Sequence, residues 1–260
     1  LMVGVILASL MFLFREKFWW AIAFLLIGFF IKWFSIFLVP VYFLYRRNQV
    51  SQDQWKQDIK FGNILTLGSL AVVTTALFAL AGEGSLYPYL LHTQRGIEYG
   101  SVFSPVFAWF LAHLSPIAYQ YTRDTTAAVL STLQLGLPMC MLIFTERFAR
   151  FIKTREDVLR WSLIVIAVFL LFTKFYSPQF VLWFFPLALL FSKTWKDVLL
   201  LGIFDVVHYI SFPLVFDGFG EASNMYAVTA LVRGLLLAVL MYRLVKPLSI
   251  RWFSPMLHNA

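Results

Sequence analysis

Residues 61–80 read FGNILTLGSLAVVTTALFAL, an apolar run without a charged side chain. At about 1.5 Å per residue, a helix of about 20 residues reaches about 30 Å, which is the thickness of the hydrocarbon core of a bilayer. This run alone therefore predicts a helix that crosses a membrane.

Similar apolar runs recur along the chain and set the fold class. Hydrophobic residues make up 61% of the 260 residues and charged residues only 13%, whereas soluble domains carry about 25% charged residues. This composition excludes a water-soluble fold and predicts an all-α, polytopic transmembrane helical bundle of about eight to nine membrane helices, some of them short. Besides 61–80, the runs are 1–14, 18–31, 33–45, 126–145, 159–173, 179–192, 198–215 and 225–245.

No soluble segment separates the apolar runs, so we expect residues 1–260 to form a single transmembrane domain. The first residue is Leu rather than Met, and residues 1–14 lack both a basic leader and a small-residue cleavage site. We therefore expect the chain to be the C-terminal part of a longer protein. The single cysteine, Cys140, lies within an apolar run and indicates no redox compartment.

The positive charge of the chain is unevenly distributed. The formal net charge is +8, and fourteen of the 21 Lys and Arg residues fall in four segments. The positive-inside rule assigns these segments, and with them the C-terminus, to the cytoplasm. We therefore attribute the charge to cytoplasmic loops beside membrane lipids and expect no nucleic-acid partner. The four segments are 46–60, 147–160, 193–196 and 243–251, and those predicted on the outer side are 81–123, 174–178 and 217–224.

Residues 18–45 allow two interpretations. We prefer two short helices that turn near Lys32, because this places Arg15 and Lys17 in the cytoplasm and leaves Lys32 at the outer end of a hairpin. The alternative is one long tilted helix from which Lys32 snorkels to the membrane surface.

The most specific string in the chain is KFYSPQFVLWFFP, residues 174–186. Ser177 and Pro178 suit the start of a helix, because a serine hydroxyl accepts a free backbone N–H and proline has none to lose. A capped turn does not by itself explain Lys174 and Gln179, which flank the turn at the predicted outer edge of the membrane.

This string is similar to the Ser-Pro-Gln-aromatic motif of polyprenol-phosphate-dependent glycosyltransferases of the GT-C type. The resemblance is strongest to the bacterial glycosyltransferase family 87, which is α-mannosyltransferase-like, and to glycosylphosphatidylinositol mannosyltransferases. Two other strings resemble further parts of these enzymes in the same order. They are IKWFSIFLVPVYFLYRR at 31–47 and HTQRGIEYGSV at 92–102.

The resemblance implies a mannosyltransferase-like enzyme of the bacterial plasma membrane. Such an enzyme transfers a sugar from a polyprenyl-phosphate donor to an acceptor on the outer face, with inversion at the sugar carbon. The family's catalytic carboxylate lies in a first outer loop, which is expected upstream of residue 1, so no catalytic residue is assigned. No metal-binding motif occurs in the sequence, and a requirement for a divalent cation stays open.

A lipid phosphate at the outer face requires cations there. We predict that Lys32, Arg95 and Lys174 bind the donor phosphate, although Arg95 has the alternative of pairing with Glu98 one helical turn away. Arg123 precedes Asp124 and is predicted to form a loop ion pair with it. The residues predicted to line the substrate site are His92, Glu98, Ser177, Pro178 and Gln179.

Two weaker features complete the set of candidates. Asp205 and His208 are three residues apart, share a helical face, and are predicted to form a polar contact inside the bundle, because two ligands are too few for a metal site. Ser104 and Pro105 begin the stretch PVFAWFLAHL, which is too short to span a membrane and is predicted to be an interfacial helix.

Two other functions remain open on the sequence alone. A multi-span transporter or lipid flippase of the cell envelope also uses short helices and intramembrane charges, although here the charges collect at the helix ends. The other is a structural subunit of an envelope complex, which would not require the Ser-Pro-Gln string.

Overall fold

Every regular element in the described part of the chain is helical, as the sequence predicts. The computed structural model describes residues 1–82, 84, 87, 101–103, 116–174, 176–215 and 224–257. Two 3₁₀ helices, Trp33–Leu38 and Pro178–Phe180, and a π-helical segment, Ile210–Val215, interrupt the α-helices. The α-helices are α1 (Met2–Phe14), α2 (Phe18–Ile31), α3 (Val39–Arg47), α4 (Gln52–Ala81), α5 (Pro116–Ile143), α6 (Thr145–Ala149), α7 (Arg155–Phe172), α8 (Val181–Phe191), α9 (Trp195–Tyr209) and α10 (Asn224–Leu257).

The chain divides into two compact units. Unit 1 contains Leu1–Arg95 and Met141–Val158, and unit 2 contains Gly96–Cys140 and Leu159–Ala260. The later boundaries fall inside α5 and α7, so the division does not follow the helix ends. The expectation of a single transmembrane domain stays a prediction.

Among the residues that the structure describes, two helices are long and apolar enough to cross a membrane. The most apolar 18-residue window of α4 has a mean hydropathy of 2.1, and no residue of that window is buried. Residues Asp124–Ile143 of α5 have a value of 1.7. The other apolar helices found in the described residues are α1, α2 and α8, which have 10–17 residues each. The described part of the chain is thus all-helical with two membrane-capable helices, and the number of spans stays a prediction.

In unit 1, α1 and α2 form a hairpin around Glu16. The N–H of Lys17 donates to the carbonyl of Phe12 at 2.9 Å and the N–H of Glu16 to that of Leu13 at 3.0 Å. Glu16 itself has a φ of 63°, which is the left-handed conformation that closes a Schellman motif. This turn reverses the chain within three residues.

The predicted helix break at Lys32 is present. Helix α2 ends at Ile31, Lys32 is extended with φ −159° and ψ 112°, and a 3₁₀ helix follows. The hydroxyl of Ser35 in that 3₁₀ helix donates to the carbonyl of Leu25 at 2.7 Å, which folds the new segment back onto α2. The two-helix interpretation of residues 18–45 therefore describes the backbone correctly, and the single long helix does not occur.

Helices α7 and α9 begin with the same side-chain arrangement, which the sequence analysis missed. The hydroxyl of Thr154 donates to Asp157 at 2.8 Å, and the N–H of Asp157 donates back to that hydroxyl at 3.1 Å. Thr194 and Asp197 repeat this exchange at 2.7 and 3.3 Å. The two starts share the pattern F-x-K-T-x-x-D-V-L, at 151–159 and 191–199. Each is a capping box that satisfies the free N–H groups of a first helical turn.

Candidate functional site around Tyr176

The Ser-Pro-Gln string forms a tight turn between α7 and α8 in unit 2. The N–H of Phe180 donates to the carbonyl of Ser177 at 2.9 Å, and the 3₁₀ helix Pro178–Phe180 leads into α8. Ser177 thus precedes a helical turn, as predicted. Its hydroxyl, however, accepts a hydrogen bond from the Gln179 amide at 2.9 Å instead of from the backbone, so these two side chains orient each other.

A fully buried arginine packs against this turn. Arg233 on α10 is 1% exposed, and its guanidinium carbon lies 3.4 Å from the centre of the Tyr176 ring. It also donates to the hydroxyl of Ser211 at 3.3 Å, which in turn accepts from Thr229 at 3.0 Å. The face of an aromatic ring and a hydroxyl partly offset the cost of removing a cation from water.

Tyr176 also connects the turn to α9. Its hydroxyl lies 3.3 Å from Nδ1 of His208, and the two rings are in edge contact at 5.8 Å. His208 stands just before the π-helical segment, in which Phe212 leaves helical geometry with φ −131° and ψ 123°. Tyr176 is therefore the residue at which α9, α10 and the Ser-Pro-Gln turn meet.

The predicted contact between Asp205 and His208 does not occur. Asp205 is exposed, and no contact in the described part of the chain joins it to His208, which instead contacts Tyr176. The helical spacing was right, but a shared face is wide enough for one residue to point outward while the other points into the unit.

The end of the predicted outer loop is anchored beside the same cluster. Val102 packs so closely on Gly234 that a Cβ atom at position 234 would overlap its side chain. Phe103 stacks on Phe172 at the end of α7, with ring centres 5.8 Å apart. Val102 therefore belongs to the same packing as Tyr176.

A narrow crevice lies between these residues. Its lining is apolar except for Tyr176 and Arg233, and it leaves no room for a water-sized ligand. Arg233 is therefore packed inside the unit, where it holds the turn in place. A ligand at the turn would contact Lys174, Ser177 and Gln179, which do not line the crevice. The lining residues are Val102, Leu170, Tyr176, Phe204, Arg233, Gly234 and Leu237.

The predicted site residues fall into three groups. Lys174 and Ser177 are half-buried and Gln179 is exposed, all at the turn together with Pro178. Lys32 is half-buried between α2 and the first 3₁₀ helix, in unit 1. Outside the described residues lie His92, Arg95 and Glu98, as do Ser104 and Pro105.

The prediction for Arg123 and Asp124 needs correction. Both residues are in α5, which begins at Pro116, and not in a loop. The apolar run that predicted this helix starts only at residue 126, so the polar first turns were assigned to the loop. Elsewhere, no group of three His, Cys, Asp or Glu side chains within the described ranges is placed to hold a metal ion.

Comparison with protein-family models, curated proteins and solved structures finds no significant match.

Proposed function

We propose that the protein is a multi-pass membrane glycosyltransferase of the GT-C type, mannosyltransferase-like, that uses a polyprenyl-phosphate sugar donor. One observation carries the proposal: residues from two separate strings that resemble this enzyme class pack around one buried cation. Val102 ends the string 92–102, Tyr176 lies in the Ser-Pro-Gln string, and both line the crevice beside Arg233.

In this proposal, the outward side chains of the turn face the donor. Lys174 contributes a positive charge, and the Ser177–Gln179 pair offers hydrogen-bonding groups to the sugar or phosphate. Arg95 and Lys32 are further phosphate-binding residues predicted from the sequence alone. When the acceptor hydroxyl attacks the sugar carbon, its proton passes to the carboxylate base that the resemblance implies. The bond from the sugar carbon to the phosphate oxygen breaks, and negative charge grows on the departing polyprenyl phosphate. Fixed cations stabilise that charge most in the transition state.

The proposal places the chain in the bacterial plasma membrane with its C-terminus in the cytoplasm. The two capping boxes support this orientation. In the proposed topology, α7 and α8 each cross the membrane, so the chain returns at α9 to the side from which α7 started. Lys153 and Lys193 directly precede the two boxes, as the positive-inside rule requires of a cytoplasmic end.

The test is sugar transfer from a radiolabelled polyprenyl-phosphate donor by the full-length protein in membranes. A lost charge-assisted phosphate contact costs about 1.5 to 3 kcal/mol. We therefore expect Lys174→Ala and Arg95→Ala each to lower transfer at sub-saturating donor by roughly 10-fold to more than 100-fold.

The matched control is Lys193→Ala, which removes an exposed lysine beside the start of α9 and should leave transfer unchanged. Equal transfer by the wild type and Lys174→Ala would contradict the role of the turn. If the intact wild type transfers sugar from no polyprenyl-phosphate donor, the transporter alternative becomes the better proposal.

A further inference from the structure

Unit 1 carries a rigid surface that joins the end of α3 to the segment between α5 and α7. The side-chain amide of Asn48 lies within hydrogen-bonding distance of the carbonyls of Ala149 at 2.6 Å and Ile152 at 2.9 Å. Arg47 donates to Glu146 at 3.1 Å across the same junction. These bonds hold residues 144–155 against the end of α3.

The acidic side chains near this surface are engaged within the protein. Asp58 accepts from Arg46 at 2.8 Å, and Glu146 is bound to Arg47. Asp157 accepts from the Thr154 hydroxyl and from the N–H of Lys153. Three exposed cations, Arg147, Arg150 and Lys153, follow one another within seven residues. No ion pair involves their side chains in the part of the chain that the structure describes.

The same surface borders exposed apolar residues. Leu142, Ile143 and Phe144 are 50%, 67% and 53% exposed and come directly before the cations. Leu142 and Ile143 end α5, and Phe144 follows it. Helix α5 is one of two helices in the described residues that are long and apolar enough to cross a membrane. If α5 spans the bilayer, Arg147, Arg150 and Lys153 lie at the level of the lipid headgroups.

We propose that this basic surface, formed by Arg147, Arg150 and Lys153, binds the headgroups of anionic phospholipids. Guanidinium groups match the geometry of a phosphate diester, while the neighbouring apolar side chains contact the acyl chains. The adjoining apolar helix end favours a lipid over a nucleic acid or an acidic protein. The inference rests on the membrane placement proposed above and does not depend on sugar transfer.

The test uses the purified full-length chain in detergent, titrated with spin-labelled phosphatidylglycerol or phosphatidylcholine, and needs no sugar donor. An exposed charge-assisted contact is worth up to about 1 kcal/mol, which corresponds to about fivefold in association. The triple variant Arg147→Gln, Arg150→Gln, Lys153→Gln should therefore lose about 100-fold in association with phosphatidylglycerol and little with phosphatidylcholine.

The control variant Lys17→Gln, Lys193→Gln, Lys196→Gln removes the same charge from exposed positions outside this surface. Because salt screens charges that do not contact the bound lipid, this variant should lose less than about threefold. Single variants Arg147→Gln and Arg150→Gln, each expected to lose about fivefold, answer the question if the triple variant fails to fold. If both triple variants lost the same affinity for phosphatidylglycerol, net charge alone would explain the loss, and the proposed binding site would be wrong. If inorganic phosphate at constant ionic strength displaced the lipid, the basic surface would be a site for free phosphate and not for a phospholipid.

Discussion

Gly234 is the residue at which the close packing beside Tyr176 is easiest to test. An added Cβ would overlap the side chain of Val102, and overpacking of this kind costs about 1 to 3 kcal/mol. We expect Gly234→Ala to lower the thermal midpoint of the purified protein and, by displacing residues 101–103, to lower sugar transfer as well. Fluorescence-detected unfolding in detergent measures the first effect.

Gly202 in α9 provides the matched control. A Cβ there meets nothing within 4 Å, and alanine favours a helix over glycine by about 1 kcal/mol, so Gly202→Ala should leave the midpoint unchanged or raise it. Adding Val102→Ala to Gly234→Ala should restore part of the loss. Equal midpoints for Gly202→Ala and Gly234→Ala would mean that Val102 does not pack on α10.

The sequence identified the turn at 174–186 but not the residue at its centre. Tyr176 stood in the quoted string, yet its partner His208 is 32 residues away, and Arg233 is on yet another helix. Spacing rules connect residues within one helix and not between helices. A signal was present in Arg233, because a charged residue in the middle of an apolar run is a candidate functional residue by default.

At the scale of elements, the start of α9 carries a buried carboxylate just ahead of an apolar run. Burial raises the pKa of Asp197, but hydrogen bonds from Thr194 and from Arg243, at 2.7 Å each, lower it by more, so the pKa lies below its usual range. The ionised carboxylate therefore stabilises the folded chain above the unfolded pKa of about 3.9. This stabilisation disappears as the pH falls through the lower, folded pKa.

We expect Asp197→Asn to lose about 1 to 2 kcal/mol of stability at pH 7, because the cap and the contact with the half-exposed Arg243 both weaken. Thermal midpoints measured from pH 7 down to pH 3 should show the gap between variant and wild type closing below about pH 4. Asp53→Asn is the comparison, since Asp53 pairs only loosely with Lys56 at 3.9 Å on the surface, and its effect should be negligible. A gap for Asp197→Asn that does not change with pH would contradict the assigned cause.

Helix positions were predictable where apolar residues fill the whole element. The runs 1–14 and 18–31 match α1 and α2 within one residue at each end. The run 61–80 found only the apolar part of α4, whose first turns are polar and begin at Gln52 behind the Ser51 cap. Apolar runs mark what is buried or faces lipid, whereas a helix continues into water as long as its caps and hydrogen bonds allow.

For the whole molecule, the proposed orientation is open to direct measurement. In a background in which the exposed Cys140 is replaced by serine, cysteines at Gln52 and Thr154 should react with an impermeant maleimide only from the cytoplasmic side. A cysteine at Ser223 should react only from outside. The charge distribution is the physical reason, because clustered Lys and Arg residues remain on the cytoplasmic side during insertion.

Each labelling experiment includes permeabilised cells, in which all three positions must react. Labelling of Gln52 and Ser223 from the same side of intact membranes would refute the orientation, and with it the placement of the Ser-Pro-Gln turn at the outer face.

Whole-molecule organisation was the least predictable level. Composition alone predicted the helices of the described residues and that some of them are membrane-capable, because backbone groups in lipid must pair within the segment. The division into two units was not foreseen. Asn48 bonds to carbonyls more than a hundred residues later, and no local pattern announces such a contact.

That contact also orders events during synthesis. The carbonyls that Asn48 binds follow it by 101 and 104 residues, and ribosomes add about 5 to 20 residues per second. The amide thus waits about 5 to 20 s for its acceptors, while residues 96–140, which belong to unit 2, are made first. Unit 1 is begun first, yet it is completed only when the segment around Ile152 has left the ribosome.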